Sequence, residues 1–118
     1  MSLSTTKTRD YPKVDRMRGV NYLKFIDTDT YTLANEDKGK VLLLTAGLGT
    51  TITVPALSIP VGSQIDFIAM TSNTGSLTPD TGVTLNSKGG LTYLAAQFSG
   101  ATLIMTAPGE WTLIGDIA

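Results

Sequence analysis

The sequence predicts an all-β domain, a β-sandwich or jelly roll of short antiparallel strands, over residues 21 to 118, behind an extended basic arm over residues 1 to 20. Three observations predict it. Apolar, aromatic and β-branched residues come in short runs, several of them alternating with period two. Gly, Pro, Asn and Asp punctuate these runs every eight to twelve residues or so, the rhythm of an all-β fold. No stretch keeps apolar residues at helical spacing over about a dozen positions.

Tyr22 to Phe25 and Tyr31 to Leu33 favour strands, and Asp27-Thr28-Asp29 between them suits a turn. Asn35 to Gly39 is polar and ends in glycine, which predicts a tight turn or a single helical turn between Ala34 and Lys38. Val41 to Leu44 is apolar throughout and reads as a strand buried on both sides. Ala46-Gly47-Leu48-Gly49 opens a bend. Thr50 to Val54 then alternates, with Ile52 and Val54 inward and Thr51 and Thr53 outward, until Pro55 stops the ladder. Pro60-Val61-Gly62-Ser63 makes the next reversal, and Gln64 to Met70 is the longest strand. Asp66 in its middle belongs on the solvent face or against a partner, because burying an unpaired carboxylate costs several kcal/mol.

Thr71 to Ser76 reads as a polar link, Val83 to Leu85 as a short strand and Ser87-Lys88-Gly89-Gly90 as a flexible turn. Leu91 to Phe98, Ala101 to Thr106 and Glu110 to Ile114 complete a set of about eight strands. The expected core is Val41, Leu43, Ile52, Val54, Ile65, Phe67, Leu103, Ile104, Trp111 and Leu113, with Trp111 anchoring the last strand.

A chain of 118 residues encloses one modest core. Charged residues make up 16% of it, against roughly 25% in an ordinary soluble domain. The surface must therefore be mostly neutral Thr, Ser, Asn and Gly, or be partly covered by partners. Net charge is -1, which argues against a nucleic-acid partner. The opening residues lack the apolar stretch of a signal peptide, and no run approaches the ~20 apolar residues of a spanning helix. The expectation is a soluble product without a Sec signal or a membrane partner. The absence of Cys leaves the redox compartment open.

Charge is divided unevenly. Residues 1 to 20 carry Lys7, Arg9, Lys13, Arg16 and Arg18 against Asp10 and Asp15, a net +3, while the remainder is net -4. Few large apolar residues and Pro12 mark this segment as an arm that gains order on another subunit or a larger assembly. Arg9, Tyr11, Arg16 and Arg18 are its expected contact residues, against the alternative of a terminus with no role.

Catalytic constellations fail on this map. The chain has no His to activate its many Ser and Thr, and Lys24, Lys38, Lys40 and Lys88 stand at no recognisable spacing from a serine. Asp66 with Glu110 or Asp80 could pair as carboxylates, but Asp80 in Thr78-Pro79-Asp80-Thr81-Gly82 and Glu110 after Pro108-Gly109 read as turn residues. Asp27-Thr28-Asp29 is a fragment of a calcium loop without the remaining ligands. Gly47-Leu48-Gly49-Thr50-Thr51 lacks the ending of a phosphate loop. Tyr22, Phe25, Tyr31, Tyr93 and Phe98 are expected in core or intersubunit packing, with a glycan platform as the other reading. No enzyme, catalytic residue, metal or cofactor is expected.

Tyr31 to Lys40, Thr51-Ile52-Thr53-Val54-Pro55, Pro60 to Ile65, Gly82 to Leu85, Ala101 to Ile104 and Glu110 to Asp116 occur in an order that resembles a small β-domain of tailed-bacteriophage virion proteins. That group includes fibre, appendage and capsid-decorating proteins. The resemblance covers roughly residues 30 to 118. It implies a virion structural module, commonly trimeric, and carries over no catalytic residue. With an arm, a domain and no collagen-like or coiled-coil shaft, the expectation is a homotrimeric capsid decoration (cement) protein on the capsid surface, bound to the major capsid protein. The alternative is a tail, baseplate or short-fibre component with a host-glycan role.

Overall fold

A computed structural model describes residues 22–118. The short apolar runs do form strands: β1 (Leu23–Ile26), β2 (Thr30–Thr32), β3 (Val41–Leu44), β4 (Thr51–Val54), β5 (Gln64–Ala69), β6 (Ser76–Pro79), β7 (Thr84–Ser87), β8 (Gly100–Ala107) and β9 (Glu110–Gly115). The polar stretch after Ala34 makes one 3-10 turn, Asn35–Asp37. Leu91 to Phe98 is not a strand; Tyr93 and Leu94 make only isolated bridges, to Ser76 and Ile117. Ser76–Pro79, expected as link and turn, is a strand.

The strands pair in a way that local patterning does not reveal. Leu23, Val41 and Asp66 are register partners across β1, β3 and β5, all parallel. Thr30, Thr51 and Ser76 are partners across β2, β4 and β6, again parallel. Each coil of the chain therefore lays one strand in each of two ladders and returns to stack beside itself. The result is an all-β, three-turn β-solenoid with a mixed sheet. This corrects the expected sandwich or jelly roll of antiparallel strands. Short strands with frequent turns serve both architectures, because a solenoid corner uses the same Gly and Asp chemistry as a hairpin turn. Between named strands, antiparallel pairing joins β5 with β8 and β8 with β9, while β7 runs parallel to β9; the isolated bridges of Tyr93 and Leu94 are antiparallel too.

Corners stack as the strands do. Thr45 N–H donates to Ile26 O at 2.9 Å and Met70 N–H to Leu44 O at 2.9 Å, continuing the ladder around the bend. Gly49 stands at such a corner with φ +84, and a Cβ there would lie 2.6 Å from Thr74 O. The close approach of two coils requires glycine at this point.

Inward residues form columns along the solenoid. Leu42, Phe67 and Ala101 make one, Ile52 and Leu77 another, all buried. Ile65, Val54, Leu103, Trp111 and Leu113 join the same core, as expected. Val41 and Ile104 do not; Leu43 is buried as expected but on the opposite side of β3 from Leu42 and Leu44, outside the main cluster. A four-residue apolar run has no polar partner to set its parity, and here the opposite face is apolar too.

Candidate functional site

Two features of the solenoid bear on what it can do: the way its ends are closed and the face it leaves open. In the first coil two of the core columns turn polar, while Ile26 keeps its column with Leu44 and Ala69 apolar. Lys24 precedes Leu42 and Phe67 in their column, and Tyr31 precedes Ile52 and Leu77 in theirs. Lys24 Nζ donates to Tyr31 Oη at 2.6 Å and to the carboxylates of Glu36 and Asp37, both at 3.1 Å. Tyr31 Oη donates to Asp37 Oδ2 at 2.8 Å, which also accepts the Ala34 N–H at 2.9 Å. The 3-10 turn Asn35–Asp37 aims Asp37 inward, where its side chain is fully buried.

Hydrogen bonding to Tyr31, opposed by burial and reinforced by Glu36 and Asp37, raises the Lys24 amine above its ordinary range. Burial raises the Tyr31 hydroxyl, with Lys24 pulling it down and Asp37 pushing it up. A paired, fully hydrogen-bonded charge is tolerated inside a protein where a lone one is not. This cluster makes part of the first coil's inner lining polar, beside the buried Ile26 and Leu33.

The other end is closed by pairing. β8 and β9 cover β5 in the large sheet, whose order is β1-β3-β5-β8-β9-β7. Over the small sheet, Leu77 N–H donates to Thr92 O at 3.0 Å and Leu94 N–H to Gly75 O at 3.0 Å.

The face that remains is the outer side of the six-stranded sheet. Phe25, Leu43, Ile68 and Gly100 form one row of register partners across it. Leu23, Val41, Asp66, Thr102 and Ile114 form the neighbouring row. Phe25 is 67% exposed, Leu23 52% and Ile114 51%. Asp66 stands on this outer face, one of the two places expected for it, and Thr102 Oγ1 donates to its Oδ1 at 2.6 Å. Gly100 has no side chain in its row, and a shallow hollow of about 410 Å³ lies there, edged by Val41, Asp66, Ile68, Thr102 and Ile114.

A larger groove, about 610 Å³, runs between Ser87, Lys88 and Leu91 and the strand exit at Leu113 to Ile117. Its lining is mostly aliphatic. Asp116 at its edge accepts a 2.7 Å hydrogen bond from the Ser99 hydroxyl, and Ser87 Oγ has no hydrogen-bond partner among the described residues.

The candidate residues suggested by the sequence disperse over this frame. Asp80 holds its turn through the Thr81 N–H at 2.8 Å, and Glu110 accepts from Asn86 Nδ2 at 3.0 Å, so neither acid pairs with Asp66. Among the described residues no cluster of three metal-ligating side chains forms, the Asp27-Thr28-Asp29 segment included. Tyr22, Phe25, Tyr93 and Phe98 are exposed and do not enter the core; Tyr31 alone of the five packs against it. Arg9, Tyr11, Arg16 and Arg18 lie outside the described residues. Among the described residues no helix is long and apolar enough to cross a membrane, which says nothing of a β-barrel. Sequence reasoning missed the Lys24–Tyr31–Asp37 cluster. The available signal was three polar residues inside otherwise strand-forming or turn segments, whose meeting depends on coil stacking.

No protein-family model matches the chain, and no curated protein matches it.

Proposed function

We propose that the protein is a structural subunit of a tailed-bacteriophage virion, a homotrimeric capsid decoration protein that binds the major capsid protein and reinforces the shell. The observation that carries this reading is a short stack of only three coils, with the Lys24–Tyr31–Asp37 cluster in its first coil and the antiparallel β8–β9 pair after its third, beside an exposed and nearly neutral flank. A shaft grows by adding coils at its ends. A stack this short, flanked by an exposed face, suits sideways association or clipping onto a surface, as decoration of a capsid requires. The virion setting rests on the resemblance of residues 30 to 118 to phage structural domains. Arg9, Tyr11, Arg16 and Arg18, in the net +3 opening segment, supply the contact with the shell.

One observation favours the tail, baseplate or short-fibre alternative: parallel coils stacked along one axis are themselves the architecture of elongated appendages. Electron microscopy of purified particles with and without the protein separates the readings. Density on the capsid surface that vanishes with the protein supports decoration. Density at the tail moves the subunit there, and particles that never contain the protein overturn the virion reading.

A further inference from the structure

The row Phe25, Leu43, Ile68, Gly100 has a ring standing out at one end and a hollow at the other. The two ends are three strand spacings apart, about 14 Å, so the ring cannot reach the hollow of its own chain. We infer that the outer face of the six-stranded sheet is a contact surface between copies of this chain, with Phe25 of one copy seated over Gly100 of the next. This rests on the self-association part of the reading above and not on its place in a virion.

Three observations select a second copy as the occupant. The knob and the hollow belong to one surface, so the face is complementary to itself. Its central charge, Asp66, is hydrogen-bonded by Thr102 and stands in the neighbouring row, beside the Phe25–Gly100 contact and not under it. Area sets the scale. Six strands at about 4.8 Å spacing and about five residues each give a flat face of roughly 500 Å². That is at the upper end of what monomers leave open, and below the ~800 Å² per partner of a standard interface. Such a face associates reversibly, and any closed arrangement, two-fold or ring, makes one Phe25–Gly100 contact per subunit.

Gly100 permits a direct test. A Cβ there would meet only Phe67 O, at 3.6 Å, an ordinary contact, and the residue does not occupy left-handed backbone. Gly100→Val therefore fills the hollow without disturbing the fold, and Phe25→Ala removes the knob from an exposed position. Light scattering on the full chain, with melting followed through Trp111 fluorescence, reads association and folding separately. The wild type is expected to associate. Each single variant should weaken association at least about tenfold at unchanged melting temperature. The double variant should be little worse than either single one, because both remove the same contact. An associated wild type with insensitive variants, or with strictly additive effects, overturns this contact and leaves self-association standing. A monomeric wild type at all concentrations overturns both. A monomer whose Phe25→Ala variant melts lower assigns the face to the chain's own preceding residues and overturns the inference as well.

Discussion

Lys24 and Tyr31 face each other across the first coil, with 2.6 Å between the amine and the hydroxyl, and both lean on the buried carboxylate of Asp37. The same two column positions in the second coil hold Leu42 and Ile52. Two columns of the hydrophobic stack thus end in a satisfied polar network, while Ile26 and Leu33 continue the apolar core into the first coil.

This network makes stability fall in alkali. Folded Lys24 keeps its proton to higher pH than the unfolded chain does, so its contribution is complete below the ordinary lysine value of 10.5 and is lost as pH rises through the folded value. Tyr31 acts in the same direction, because the unfolded chain ionises near 10.0 while the folded hydroxyl stays neutral. The melting temperature should be level from about pH 7 to about pH 9 and fall above about pH 10. Combining Lys24→Met with Tyr31→Phe should flatten that fall; an equally steep fall in the double variant contradicts the assignment.

Removing the amine alone should be costly. Lys24→Met leaves the Asp37 carboxylate buried without its cation and is expected to lose about 3 kcal/mol in denaturant unfolding. Adding Asp37→Asn should restore part of that loss, since the uncompensated charge disappears with it. Independent, additive losses would show that the two side chains are not coupled.

The parity of β3 separates two leucines. Leu42 points into the core and Leu43 lies beneath Phe25 on the outer face. Leu42→Ala should cost about 3 kcal/mol, and Leu43→Thr about 1.5 kcal/mol because Leu43, though buried, lies outside the main core cluster. Equal losses in urea titrations would refute this orientation of the strand.

The strands and part of the core are legible in the sequence; the architecture they build is not. Period two at Thr51–Val54 and Gln64–Ala69 placed Ile52, Val54, Ile65 and Phe67 correctly, because one face of each strand is polar enough to set parity. Coil stacking was not legible. Parallel partners such as Leu23, Val41 and Asp66 are far apart and unequally spaced in sequence, so no fixed period announces the repeat. For the same reason Asp66 was recognised as surface-facing while its partner Thr102 was not. The Phe25–Gly100 row was equally hidden, since a glycine in a turn-like Ser99-Gly100 pair carries no sign of a hollow in a sheet.

Two glycines with left-handed backbone should respond differently to a methyl group. Gly49→Ala adds a clash with Thr74 O to an unfavourable φ of +84 and should cost about 3 kcal/mol. Gly39 has a φ of +77 but open space around its Cβ position, so Gly39→Ala should cost about 1 kcal/mol. Similar melting temperatures for the two variants would remove the close coil contact at Gly49.

Lateral contact through the Phe25–Gly100 row is tested most directly by cross-linking, because the chain has no cysteine of its own. Phe25→Cys and Gly100→Cys are prepared as separate full-length proteins, mixed and mildly oxidised. The positions are too far apart on one sheet for a bridge within a chain, since a disulfide needs Cα atoms within about 7 Å. The expected product is a mixed dimer joined from position 25 of one protein to position 100 of the other, formed in preference to either self-linked dimer. Cross-links distributed at random among the three pairings, or no cross-link from the mixture, would contradict contact through this row.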